Sequence, residues 1–277
     1  VVTVDRIDET GTIVGVRDTI LTTSFAILDL EAAVHGASGK VGLFFRSDPT
    51  GDYDLFFHSF DPSAAGTGTD VDVVPISPST GFSGHPSAAD APEGFAVAWE
   101  DDRDGDSEIW FAILDTMGSP SGPARRMTAA PGASEGPALA RSGEGFGLSW
   151  MDARGGAYSV LFTCLDPDGA RDCPDLGIAS EGPAESWFPA ISADPVDGQY
   201  AIAYGGKTAD GAFDLFVTAA GTSDGGSLDP GFPMDAPAAA IAVSRMADVA
   251  GWRGVLWTAQ GGSGAGSLLF REMACGD

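Results

Sequence analysis

Residues 98–115, AWEDDRDGDSEIWFAILD, set an apolar run, an acid-rich turn and a second apolar run in order, and residues 149–166, SWMDARGGAYSVLFTCLD, repeat the arrangement. The runs that end on the aromatic, GFAVAW and GFGLSW, are short and bounded by Gly and Asp, which predicts strands joined by hairpin turns. Further copies stand at 42–61, 201–221 and 254–273. Anchored on Phe45, Trp99, Trp150, Tyr204 and Trp257, the steps are 54, 51, 54 and 53 residues, a near-constant period that marks a repeat architecture.

Each unit reads as four strands. A segment of Pro and small residues, HPSAAD (85–90) or GPALAR (136–141), suits an inner strand crowded near an axis. The aromatic-ended strand follows, then EIWFAILD or SVLFTCLD, then a weaker fourth segment such as PARRMT (123–128). Four short antiparallel strands repeated radially are a propeller blade, and stacking blades buries the faces that one sheet cannot hide alone. The expected fold is therefore all-β: one β-propeller domain over 1–277, with units at about 24–76, 84–128, 136–178, 187–233 and 238–273. Val1 lies as far before Phe45 as Leu55 lies before Trp99, so the chain begins in register with a third strand, and residues 1–23 are expected to close the ring. Five blades is the direct count, or six or more if the chain is a piece of a longer protein. Trp99, Trp150 and Trp257 are expected to be packing wedges.

Composition narrows the partners. The formal charge of −26, from 40 acidic and 14 basic residues, disfavours nucleic acid. No stretch is long and apolar enough to span a bilayer as a helix, and the first residues carry no signal-peptide pattern, so any export signal is expected to have been removed already or never to have existed. The Gly count of 39 and Pro count of 18 leave little room for long helices. Cys164 and Cys173 flank the turn-rich LDPDGARD and could staple that hairpin or remain two reduced cysteines. Cys275 has no evident mate, and no zinc-binding Cys/His pattern occurs.

Residues 103–128, RDGDSEIWFAILDTMGSPSGPARRMT, resemble the repeats of TolB-like (PD40) propellers through Arg103, Asp104, Gly105, Glu108, Ile109 and Trp110, followed by Arg126, Met127 and Thr128. Where that family reads Trp-Ser-Pro-Asp-Gly, this chain has DAPEG (90–94) or RSGEG (141–145). The resemblance implies a propeller serving as a secreted or periplasmic scaffold, with no catalytic residues to carry over.

Three constellations carry candidate chemistry. Asp102, Asp104, Asp106 and Glu108 alternate along one turn and could point carboxylates at a Ca2+ ion, or form a solvated hairpin turn. Arg46, Arg103 and Arg154 follow the aromatic anchor in successive units and could clamp an acidic ligand together. Ion pairs with the nearby Asp48, Asp101 and Asp152 would explain the recurrence equally. None of His35, His58 and His85 falls in a triad order. The reading that follows is an exported, secreted, periplasmic or cell-surface module without catalysis, binding a protein or glycan partner and able to assemble with other chains. The alternative is a glycan-active protein, sialidase-like or another glycoside hydrolase, or a lectin.

Overall fold

The computed structural model describes residues 1–220 except 9, 50, 65–67, 79, 144, 179–184, 194–197, 209–210 and 212, and beyond them the backbone of the strands at 232–233, 240–249, 252–260 and 266–274. The side chains of Val16 and of residues after 220, Trp257 among them, lie outside the described set, as do Asp210 and Cys275.

The architecture is a β-propeller built from successive antiparallel sheets. A hairpin, β1 (Val2–Ile7) and β2 (Ile13–Leu21), comes first. Blade 1 holds β3 (Leu28–Val34), β4 (Val41–Ser47), β5 (Asp54–Phe60) and β6 (Val74–Pro75). Blade 2 holds β7 (Ser83–Ala91), β8 (Gly94–Asp101), β9 (Glu108–Asp115) and β10 (Arg125–Arg126). Blade 3 holds β11 (Ser134–Ser142), β12 (Gly145–Asp152), β13 (Ser159–Leu165) and β14 (Leu176–Gly177). Blade 4 holds β15 (Glu185–Ala193), β16 (Tyr200–Lys207), β17 (Phe213–Ala220) and β18 (Phe232–Pro233). The last sheet joins β19 (Ala240–Val249), β20 (Trp252–Gln260) and β21 (Gly266–Ala274). A single 3-10 turn at Asp70–Asp72 is the only helical segment among the described residues, and no described helix is long and apolar enough to cross a membrane.

The second strand of each blade is sandwiched between neighbouring sheets, which explains its unbroken apolar run: every residue of β8 and of β12 is buried. Each core cluster draws on two successive sheets. Trp99 packs with Phe44, Leu55 and Phe57 of blade 1, Trp150 with Ala98, Ile109 and Phe111 of blade 2, and Tyr204 with Val160 and Phe162 of blade 3. The aromatic anchors are thus wedges against the preceding blade, and these three and Phe45 are fully buried. Contact is close enough that a Cβ at Gly147 would lie 2.6 Å from the Tyr200 ring. The blades are also hydrogen-bonded to one another: a serine at the start of an inner strand donates its N–H to the chain entering the preceding blade's third strand, Ser83 to Tyr53 (2.7 Å), Ser134 to Ser107 (2.7 Å) and Ser186 to Tyr158 (3.0 Å).

The Asp-led turn between third and fourth strands recurs in detail. Asp115 Oδ1 accepts the N–H groups of Met117 and Ser119, and Asp166 Oδ1 those of Asp168 and Ala170. Asp8 does the same with Thr10 and Thr12, so the N-terminal hairpin has the turn of a third and fourth strand. That hairpin forms a sheet of its own. Its Val2, Ile20 and Leu21 cover Phe45 and Leu43 of blade 1, and its described pairings do not extend to β21. Cys164 and Cys173 form a disulfide, S–S 2.10 Å, across the β13 turn.

Candidate functional site

All the innermost strands carry the same irregularity. The register of β3 slips between Leu28 and Glu31, of β7 between Gly84 and Ser87, of β11 between Glu135 and Ala138, and of β15 between Trp187 and Ala190. The backbone of β19 slips likewise between Val243 and Arg245. One extra residue per strand makes each of these a β-bulge, which turns a side chain out of the ladder. The bulged residue is left-handed in every case with described torsions: Asp29 (φ 46°), His85 (φ 47°), Gly136 (φ 57°) and Phe188 (φ 52°). In blades 2, 3 and 4 a proline follows, which has no N–H to leave unpaired at the bulge.

These four residues line one cavity of about 720 Å3, bounded by the inner strands of blades 1 to 4. Its acidic groups are Asp29, Glu31, Glu100 and Glu135, its one ring nitrogen base is His85, and Leu30, Met151 and Phe188 supply apolar wall. The residue on the second strand beside each bulge sets its character. Arg46 lies 2.9 Å from Asp29, though its N–H is not aligned for a hydrogen bond, and its guanidinium is held between the Tyr53 and Phe82 rings at 4.9 Å from each. Glu100 stands 2.7 Å from His85 Nδ1 and also accepts the Gly136 N–H at 3.0 Å. Beside Gly136 is Met151, and beside the Phe188 bulge is Gly205, the partner of Trp187. Glu135 accepts a hydrogen bond from Tyr158 at 2.7 Å, which together with burial pushes the phenol up to about 12 and keeps it a donor across the working pH range.

The hydrogen bond to Glu100 raises the pKa of His85 above its ordinary value despite partial burial, with Asp29 adding to the effect. A raised histidine stabilises the fold most below its unfolded value of about 6.5 and loses that contribution as the pH climbs through the folded value. An NMR titration should therefore place the His85 midpoint above that of an unstructured histidine, and Glu100→Gln should bring it down. A midpoint that ignores Glu100→Gln would remove the pair.

The arginine trio does not converge. Arg103 is clamped on Asp101, its Nε 2.7 Å from Oδ1, and stacks on Trp110 at 4.4 Å. Arg154 holds Asp152 at 2.6 Å and Asp175 at 3.2 Å. Arg46 occupies a different register, one residue after its anchor rather than four, and its partner is Asp29 and not Asp48. Each guanidinium pairs with a carboxylate of its own blade, and none lines the cavity. The turn acids do not gather either. Asp102 accepts the Phe82 N–H, Asp104 and Glu108 share Arg126, and Asp106 is exposed at the turn tip. Among the described residues no group of three or more His, Cys, Asp or Glu is arranged to hold a metal, so the expected Ca2+ site at Asp102, Asp104, Asp106 and Glu108 has no structural counterpart. His35 and His58 are buried on Ser38 and the Asp72 carbonyl, away from the cavity.

No family model matches the sequence, and no curated protein matches it. Solved structures of the same fold do. The Hadza microbial sialidase Hz136 aligns over 90% of this chain and 53% of its own at 16% identity and a TM-score of 0.56. The α-L-arabinofuranosidase PaAbf62A from Podospora anserina, in complex with cellotriose, aligns over 91% and 95% at 10% identity and 0.51. A glycosyl hydrolase from Bacteroides ovatus aligns over 91% and 87% at 9% identity and 0.50. These likenesses support a β-propeller and not the TolB-like family in particular. All three are named as glycan-acting enzymes, which tells against the expectation of a non-catalytic binding or assembly module.

Proposed function

We propose that the chain is a glycan-active protein, a glycoside hydrolase working on an uncharged carbohydrate in the cavity formed by the inner-strand bulges. The observation that carries the reading is the cavity itself: carboxyl groups from three successive blades face one space large enough for a sugar ring or two. Glycoside hydrolysis needs a pair of carboxyl groups, one to protonate the leaving oxygen and one to act as base or nucleophile. Glu100, positioned by His85 and the Gly136 N–H, and Glu135, positioned by Tyr158, are the pair whose orientation is best held. The excess of carboxylates, with no arginine or lysine in the lining, repels an acidic sugar and suits a neutral one. An exported location accords with the Cys164–Cys173 bond, which persists in an oxidising compartment.

The test is hydrolysis of a panel of neutral pentose and hexose oligosaccharides and aryl glycosides. Glu100→Gln and Glu135→Gln should each lower kcat by about 100-fold or more with folding intact, since each would remove one proton-transfer group. Absence of turnover across the panel by wild-type protein, or full activity in both variants, would refute the assignment.

A further inference from the structure

Three non-glycine residues with described torsions have positive φ, and all three line the same cavity at the same structural position: Asp29, His85 and Phe188. In the left-handed region a Cβ crowds the backbone, and for a bulky residue such as Phe it is an outlier. A following proline, present after His85 and Phe188, further disfavours helical torsions. The third blade makes the same bulge with Gly136, the residue that adopts it freely, so the turn itself asks for no side chain.

Phe188 gains least from the fold in return. It is 48% exposed and has no aromatic or polar partner among the described residues, while its neighbour Trp187 packs on Phe213 at 5.6 Å. An exposed aromatic held in an unfavourable torsion over a cavity points to contact with a ligand. Two blades away, His85 and Glu100 present a polar edge, and the missing side chain at Gly136 leaves the space between them open.

We propose that the bulge residues are the ligand-contacting ring of the cavity, with Phe188 the platform on which one face of a sugar ring stacks and with Asp29 and His85 hydrogen-bonding its hydroxyl edge. The inference rests on the glycan-active reading and adds the geometry of recognition. The C–H groups on one face of a sugar carry partial positive charge and meet the negative face of the phenyl ring, while the hydroxyl rim turns to the acids. Phe188 makes no proton transfer; its role is to position the substrate.

The experiment compares Phe188→Gly, Phe188→Ala and Phe188→Trp with wild type in melting temperature and in kinetics on the neutral oligosaccharide that wild type cleaves best. Phe188→Gly should melt about 2 °C higher, because the backbone strain goes and little packing is lost. It and Phe188→Ala should raise KM by about 10-fold with a smaller change in kcat, and Phe188→Trp should restore KM. A lower melting temperature for Phe188→Gly would mean that the phenyl ring serves packing, and an unchanged KM would mean that it does not touch the sugar; either overturns the platform while leaving the glycan-active reading in place. Wild type that cleaves no carbohydrate removes that reading and the platform with it.

Discussion

Trp150→Ala is expected to lower the stability of the protein by about 4 kcal/mol, the range for truncating a fully buried Trp. The indole is completely enclosed and fills the seam between blades 2 and 3, among Ala98, Ile109, Phe111 and Leu148. Its neighbours are strand residues held by ladders on both sides, so the seam cannot collapse to fill the void. The indole N–H also donates to Asp152 at 3.0 Å, and that acceptor loses a donor. Trp150→Phe keeps most of the volume and removes the donor, for an expected loss of about 1–2 kcal/mol. Urea unfolding followed by circular dichroism measures both. A loss within about 1 kcal/mol for Trp150→Ala would contradict the wedge role.

The second large effect is expected at Asp101. Its carboxylate is fully buried and accepts from Ser83 Oγ (2.7 Å), Trp99 Nε1 (3.2 Å), the Arg103 N–H (3.0 Å) and the Arg103 guanidinium. Asp101→Ala strands all these donors and should cost about 3 kcal/mol, the low end for breaking a buried pair because Arg103 still reaches water. Burial by itself would push the Asp101 pKa up, but the hydrogen bonds from Arg103, Ser83 and Trp99 together outweigh it and hold the carboxyl below the usual range. A depressed carboxylate stabilises the fold above its unfolded value of about 3.9, and the contribution disappears as the pH falls through the lower folded value. The stability gap between wild type and Asp101→Asn should accordingly be full at neutral pH and shrink in acid below about pH 4. A gap that does not vary with pH would show that the charge contributes nothing.

The same network marks how much could be read in advance. Trp99, Asp101 and Arg103 recur as Trp150, Asp152 and Arg154 at identical spacing, and the structure gives both sets the same hydrogen bonds. Local spacing within one turn translates directly into contact, so the within-blade ion pairs were legible. The period of the aromatics was legible for a similar reason, because the wedge must return once per blade. The Asp29–Arg46 pair was not, since blade 1 has Phe45 and Ser47 where blades 2 and 3 have Trp and Asp, and the two residues meet only across a strand pairing. The turn acids 102–108 read as a cluster only along the chain; in space Phe82, Arg126 and solvent draw them apart.

The cavity was missed although its signature was present. His85-Pro86, Gly136-Pro137 and Phe188-Pro189 are spaced 51 and 52 residues apart. Proline in a strand interior flags a bulge, and a residue of any kind before it flags the side chain thrown out of the ladder. What that side chain meets depends on the register between strands in different blades, which spacing along one chain does not determine. His85 therefore looked like an isolated histidine, whereas in space it bridges Asp29 of one blade and Glu100 of its own.

The inner-strand bulge separates two tasks, holding the fold and lining the cavity, that could otherwise fall to one set of residues. Wedges, seam hydrogen bonds and Asp-led turns carry the ring from positions that do not line the cavity, while the bulge seats one cavity-facing residue per repeat and asks nothing of its identity but tolerance of the torsion. Asp, His, Gly and Phe occupy four such seats in one molecule. A lineage, or an engineer, can therefore exchange the occupants one at a time and alter the lining of the cavity without renegotiating how the chain folds.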